Sequence, residues 1–218
     1  MIKIDKLPKP QILVDNAEEW TIEYCNCLSA GIKPSETVAK RYNHPQIKSE
    51  LIKETHGKCV YCESKIKHIS SGDIEHILPK NKEARPDLYV EWTNLTLSCE
   101  QCNRSGKGTY YDNTNPLINP YVENPEEHFQ AIGPLIYHKL NNERAYITEN
   151  VLKINRSELV TKRQERISSV EKLLFSWENA QEGKIKDILE DQLRQEYLPD
   201  KEYSYIVKYF LNERGFPI

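Results

Sequence analysis

EWTNLTLSCEQCNRSGKG, residues 91–108, carries a C-x-x-C pair, Cys99 and Cys102, followed at once by Asn103 and a short tail rich in glycine and basic residues. One such turn points two sulfurs at a single place and makes half of a metal site. The other half lies upstream in GKCVYCE, residues 57–63, with Cys59 and Cys62. Two knuckles together supply the four-thiolate tetrahedral set that structural zinc prefers. The intervening residues 63–98 exceed the roughly 15–20 of a zinc ribbon, so the zinc is expected to tie together the ends of an inserted module. The competing reading, redox-active C-x-x-C sites, asks for one strand–turn–helix unit rather than two knuckles. A closed four-cysteine site has no open position for chemistry, which directs the search for a catalyst into the insert. The remaining cysteines, Cys25 and Cys27 in YCNCL, are expected to be buried free thiols.

Inside the insert lies SGDIEHILPK, residues 71–80, which places Asp73, Glu75 and His76 within four residues and ends at Pro79 and Lys80. Phosphodiester hydrolysis needs a base to deprotonate water and a cation to neutralise charge on the phosphate and the leaving oxygen. His76 is the right type of base, because an imidazole titrates near neutral pH. Glu75 offers a hard oxygen to Mg²⁺ or Mn²⁺, and Asn103 offers a second one. Anchored by the second zinc knuckle, Asn103 would be held near a partner remote in sequence. Strand alternation sets Asp73 and Glu75 on one face, with His76 opposite unless the strand stops there, so Asp73 is expected to be structural. Arg104 and Lys107 are candidate phosphate contacts, with Gly106 and Gly108 allowing close backbone approach. On these residues alone, a charged turn beside a zinc knuckle explains the pattern equally well. His56, His68 and His128 fall outside it and are expected to be solvated or capping residues.

DIEHILPK together with WTNLTLSCEQCNRSGKG resembles the HNH endonucleases, whose ββα-metal module is often braced by zinc on four cysteines. The resemblance implies that His76 is the general base and Glu75 the acidic metal ligand before it. It makes Asn94 the residue that holds the module's loop and helps orient the base. Asn103 stands where a final His is common, giving an H-N-N variant, and 5′-phosphate and 3′-hydroxyl ends are the implied products. HPQIKSELIKETHGKCVYCES and NPLINPY extend the likeness to the PtuB-type HNH nucleases of Septu and retron-linked anti-phage systems, over about residues 40–122. That family implies a PtuA-type ATPase partner and a nucleic-acid substrate, DNA before RNA. An RNA-cleaving (tRNA) nuclease and a catalytically silent zinc-stabilised scaffold remain as alternatives.

Outward from the module, the pattern is helical. Residues 11–30 read as a helix broken by Gly31 and Pro34, and HPQIKSELIKETHG as a second, with Pro45 in its first turn and Gly57 as its stop. Residues 113–134 read as a proline-rich loop, and LIYHKLNNERAYITE as two short strands joined through Asn141 and Asn142. From Ser157 onward Leu159, Ile167, Val170 and Leu174 recur at helical spacing, Ile185, Ile188 and Leu189 continue, and Ile206, Val207, Phe210 and Leu211 mark a last helix. The expected fold is therefore α+β and mainly helical. An HNH module at 46–115 sits between an N-terminal helical segment, 1–45, and a partner-binding helical region, 116–218.

With 29% charged and 38% hydrophobic residues, the composition suits a soluble globular chain. No apolar run approaches the ~18–20 residues of a membrane span, and MIKIDKLPKP has neither an apolar core nor a cleavage site, so a cytoplasmic protein is expected. The net charge of −3 offers little surplus for capturing a polyanion. Residues 46–110 balance ten basic against nine acidic side chains. Substrate capture is therefore expected to depend on the partner.

Overall fold

HPQIKSELIKE folds as expected because each end is signalled locally. In the computed structural model, which describes residues 1–66 and 72–218, the helix α3 spans Pro45–Glu54. Pro45 occupies the first turn, the His44 side chain accepts from the Gln46 N–H, and Gly57 follows with φ +69°. Ile47 and Leu51, four residues apart, are fully buried, each contributing roughly 1.5–3 kcal/mol by leaving water. Before it stand α1 (Gln11–Ser29) and the short α2 (Glu36–Lys40), capped by the Ser35 side chain, with a 3₁₀ turn at Arg41–Asn43.

The insert between the two cysteine pairs is built on a two-stranded antiparallel sheet. Strand β1 (Asp73–His76) pairs with β2 (Leu95–Ser98), with Glu75 opposite Thr96 and His76 opposite Leu95. β2 is buried along its whole length and lies against α3. Residues 77–94 form a long connection containing 3₁₀ turns at Pro86–Leu88 and Trp92–Asn94. After β2 the chain winds into a wide π-helix, Gln101–Lys107. Gly106 is required there: a Cβ would stand 3.1 Å from the Gln101 carbonyl oxygen and 3.2 Å from that of Val151. Its close approach is thus to backbone within the protein, whereas the sequence suggested approach to phosphate.

Beyond the module follow the single turn α4 (Pro125–His128), the hairpin β3 (Phe129–Ile132) with β4 (Leu135–His138), and the helices α5 (Glu143–Val151), α6 (Ser157–Glu178), α7 (Lys184–Glu196) and α8 (Ser204–Glu213). Three expectations need correction. Residues 113–134, expected to be loop, hold α4 and β3. LIYHKLNNERAYITE is one strand and one helix. Its strand pairs backward through a turn at Gly133, φ +54°, while the Asn142 side chain accepts from the Ala145 N–H and starts α5. Cys25 and Cys27 are half-exposed on α1, which turns Leu13 and Tyr24 inward instead.

One apolar core runs from Met1 through α3, β1 and β2 to the start of α6 and Ile206 of α8. A second gathers Val170, Leu174, Leu193, Val207, Leu211 and Phe216 between α6, α7 and α8. His56 is exposed, and His128 bonds to the Asn142 side chain at 2.9 Å; His68 lies outside the described residues. No helix among the described residues is long and apolar enough to cross a membrane.

Candidate active site and metal centre

The two knuckles meet where β2 ends. The Val60 N–H donates to the Leu97 carbonyl at 3.0 Å, pinning the first knuckle to β2, whose end runs directly into Cys99. Within the turn, the Glu63 N–H donates to the Cys59 carbonyl at 2.9 Å, with Glu63 at φ +64°. The sulfurs of Cys59, Cys62, Cys99 and Cys102 all lie within 4.8 Å of one another, and those of Cys62 and Cys99 are 3.9 Å apart. Four sulfurs at ~2.3 Å from a tetrahedral zinc stand roughly 3.8 Å apart. The donor set therefore fits zinc, as the spacing of the cysteines anticipated.

β1 ends at His76, which is buried. The imidazole Nε2 lies 2.8 Å from the Tyr89 carbonyl oxygen. A carbonyl only accepts, so Nε2 carries the proton and Nδ1 keeps its lone pair. Burial, with the Lys80 and Lys107 ammoniums adding to it and the Tyr89 bond opposing, lowers the imidazole pKa to about 3. His76 is thus neutral across the physiological range. The Tyr42 ring stands edge-on to it at 4.7 Å, and the Lys80 ammonium lies 4.0 Å from the centre of that Tyr42 ring.

The Tyr89 carbonyl is placed by Asn94. The Asn94 side-chain nitrogen donates to the carbonyls of Leu78 and Leu88 at 2.9 and 3.2 Å, and its oxygen accepts from the Leu78 N–H at 2.8 Å. One side chain thereby closes both ends of the loop that carries Tyr89.

Glu75 and Asp73 face the π-helix. Glu75 is buried, and the Lys107 ammonium lies 2.6 Å from its Oε1 with both side chains sealed from solvent. The contact is an ion pair: Oε1 makes no hydrogen bond of acceptable angle among the described residues. Burial raises the Glu75 carboxyl above its usual range, Lys107 opposes that, and Asp73 adds to it. Asn103 donates through its side-chain nitrogen to Asp73 at 3.2 Å, and Arg104 grips the same carboxylate at 3.2 and 3.3 Å. Asp73 is therefore the brace between strand and helix, and this contact uses only the nitrogen of the Asn103 carboxamide. Arg104 remains exposed, whereas Lys107 is buried against Glu75 rather than presented on a surface loop.

Sequence reasoning did not reach Tyr42, Tyr89 or Lys80. Tyr89 acts through its backbone and leaves no side-chain signal, and Tyr42 arrives from a 3₁₀ turn thirty-odd residues upstream. Lys80 was visible as the last residue of SGDIEHILPK, but its meaning depends on the three tyrosines around it, Tyr24, Tyr42 and Tyr89.

A two-stranded sheet, a following helix, a buried strand-end histidine and a four-cysteine brace define a ββα-metal nuclease. The HNH endonuclease family profile matches residues 59–107, from Cys59 to Lys107; the chain carries an HNH endonuclease domain and is a nuclease. It is similar to the Septu protein PtuB of Bacillus thuringiensis, 35% identical over 180 residues covering 76% of this chain and 68% of that protein. It is also similar to the Septu protein PtuB of Bacillus mycoides strain KBAB4, 31% identical over 204 residues covering 78% of this chain and 68% of that one. The chain belongs to the PtuB family of Septu proteins. No solved structure matches it.

Proposed function

We propose that the chain is the nuclease of an anti-phage defence complex, hydrolysing phosphodiester bonds with His76 as general base. The observation that carries this reading is the His76 tautomer: a neutral buried imidazole, with Nε2 engaged by the Tyr89 carbonyl, keeps Nδ1 as its one proton acceptor. Glu75 and Asn103 would hold Mg²⁺ or Mn²⁺: the buried Glu75 carboxylate would exchange its Lys107 partner for the cation, and Asn103, whose side-chain nitrogen is given to Asp73, would offer its carboxamide oxygen. When bound, the cation supplies charge neutralisation at the phosphate and the departing oxygen. Asn94 fixes the loop that orients the base, and Asp73 and Arg104 fix the helix that carries Asn103. The products expected are 5′-phosphate and 3′-hydroxyl ends. Zinc on the four cysteines braces the module and takes no part in the reaction.

DNA is the favoured substrate, with tRNA as the alternative. The near-neutral balance of residues 46–110 implies that a partner holds the substrate, and a PtuA-type ATPase is the candidate. We assign catalysis to 46–115 and partner binding to 116–218, whose α6 and α7 expose Phe175, Ile185 and Ile188. The test is cleavage of supercoiled plasmid and of a tRNA pool with Mg²⁺ or Mn²⁺, with and without the ATPase, beside His76→Ala. Cleavage that falls about 10²–10⁴-fold in the variant supports the base assignment. Equal cutting by both proteins removes it.

A further inference from the structure

The zinc centre has partners outside its own module. Arg156, just before α6, directs its guanidinium at the cluster, with Nη1 3.6 Å from the Cys102 sulfur and Nη2 3.9 Å from the Cys99 sulfur. Arg163, two turns along α6, is 1% exposed, and its Nε and Nη2 have no hydrogen-bond partner among the described residues. Its one short bond is from Nη1 to the Ile154 carbonyl at 3.0 Å. A guanidinium cannot shed its charge in a protein, so a buried one requires a nearby anion. Burial lowers the Arg163 pKa, and the charges of Cys62 and Glu63 oppose that. Glu63 is already shared among the Met1 ammonium at 3.0 Å, Lys58 at 3.7 Å and the Ser204 hydroxyl at 2.9 Å. A third link runs from the Cys62 sulfur to the Ser64 hydroxyl at 3.3 Å, and from there to the Tyr203 hydroxyl at 2.9 Å, at the entry to α8.

Charge arithmetic joins these contacts. Coordinated thiols are deprotonated, so four of them on one Zn²⁺ carry a formal charge of minus two. The Arg156 guanidinium, on the residue that leads into α6, offsets part of it. We propose that Arg156 is the charge-balancing outer partner of the zinc centre, so that zinc occupancy and the docking of α6 on the nuclease module are one coupled equilibrium. Arg156 is a positioning residue: it holds the tetrad's charge, and the tetrad holds the helix. This inference rests on the zinc reading of the four cysteines and adds to it a role for the C-terminal helices. Losing the metal would release the region to which partner binding is assigned while leaving His76 and Glu75 in sequence untouched.

The test uses the full chain. Zinc per chain is measured first, then zinc affinity by competition with a chromophoric chelator for the wild type, Arg156→Met and Arg156→Lys. Outer-shell losses at metal sites typically cost roughly 10–100-fold in affinity. That drop is expected for Arg156→Met, with substantial recovery in Arg156→Lys. Hydrogen exchange of the wild type, zinc-loaded and after chelation, needs no variant to fold: exchange in 157–178 should accelerate while α1 keeps its protection. One zinc per chain held equally tightly by all three proteins would overturn the proposal and leave the zinc site standing, as would α6 protection indifferent to chelation. A chain that binds no zinc would overturn both.

Discussion

A neutral imidazole accepts a proton through one nitrogen only, and at His76 the Tyr89 carbonyl occupies the other. Each remaining group at the site is similarly committed by a neighbour. Asp73 takes Asn103 and Arg104, and Glu75 takes Lys107. The last pairing has a consequence for metal binding, because a divalent cation on Glu75 must compete with an ammonium 2.6 Å away. Removing one member of a buried ion pair strands the other charge and costs on the order of 3–5 kcal/mol. Lys107→Met should therefore melt lower than the wild type in chelator and gain more from Mn²⁺. Thermal unfolding of both proteins with and without Mn²⁺ measures this. An equal Mn²⁺ increment in the two would show that Lys107 does not stand in the cation's place. At this scale the motif singled out Asp73, Glu75, Asn103, Arg104 and Lys107, which the fold packs against one another. It could not disclose their pairing, because the spacing of Glu75 and Lys107 in sequence says nothing about a π-helix folding back onto a strand.

At the scale of elements, the insert is a loop held shut from inside. Asn94 makes three hydrogen bonds to the backbone of Leu78 and Leu88, so the connection 77–94 closes on one carboxamide. Asn94→Ala should cost ~1–3 kcal/mol from the backbone groups left unpaired. Hydrogen exchange should rise first in 77–94, and cleavage should fall because Tyr89 no longer fixes His76. A variant with wild-type protection in that loop would contradict this account. The π-helix is set by Gly106 in the same way, since the oxygens a Cβ would strike, 3.1 and 3.2 Å away, belong to rigid backbone. Gly106→Ala should lose roughly 1–3 kcal/mol in denaturant unfolding. Legibility differed between elements for a physical reason. α3 carried its own start, stop and buried pair, so it could be read locally. α5 could not: RAYITE carries the aromatic and β-branched residues common in strands, and its helix is decided by the Asn142 cap and by β4 already being paired with β3.

For the whole molecule, the N-terminal segment is tied to the module through a buried polar network around Glu54. Its carboxylate accepts from the Lys6 ammonium at 3.1 Å, the Leu7 N–H at 3.0 Å and the Tyr121 hydroxyl at 2.6 Å. Lys6 also donates to the Leu95 carbonyl at 2.6 Å and sits over the Trp92 ring. Burial lowers its pKa from 10.5 to about 8, outweighing the attraction of Glu54 and Glu91 that raises it. A base with a lowered folded pKa reverses the usual sign. Between about pH 8 and 10.5 the unfolded chain binds more protons at Lys6 than the folded one, so this residue makes stability rise with pH across that window. Below pH 8 its burial cost is present in full, on the order of 3 kcal/mol for a shift of this size. Other groups titrate in the same range, notably tyrosines, so the informative quantity is a difference between two proteins. Lys6→Met keeps the aliphatic contact with Trp92 and leaves Glu54 its Leu7 and Tyr121 donors. Denaturant unfolding at pH 7.5 and pH 10 should then show the wild type gaining stability on the variant as pH rises. If the gap between the proteins is the same at both values, the ammonium is not held at the cost its surroundings imply, and the N-terminal segment is anchored by Glu54, Leu7 and Trp92 without it.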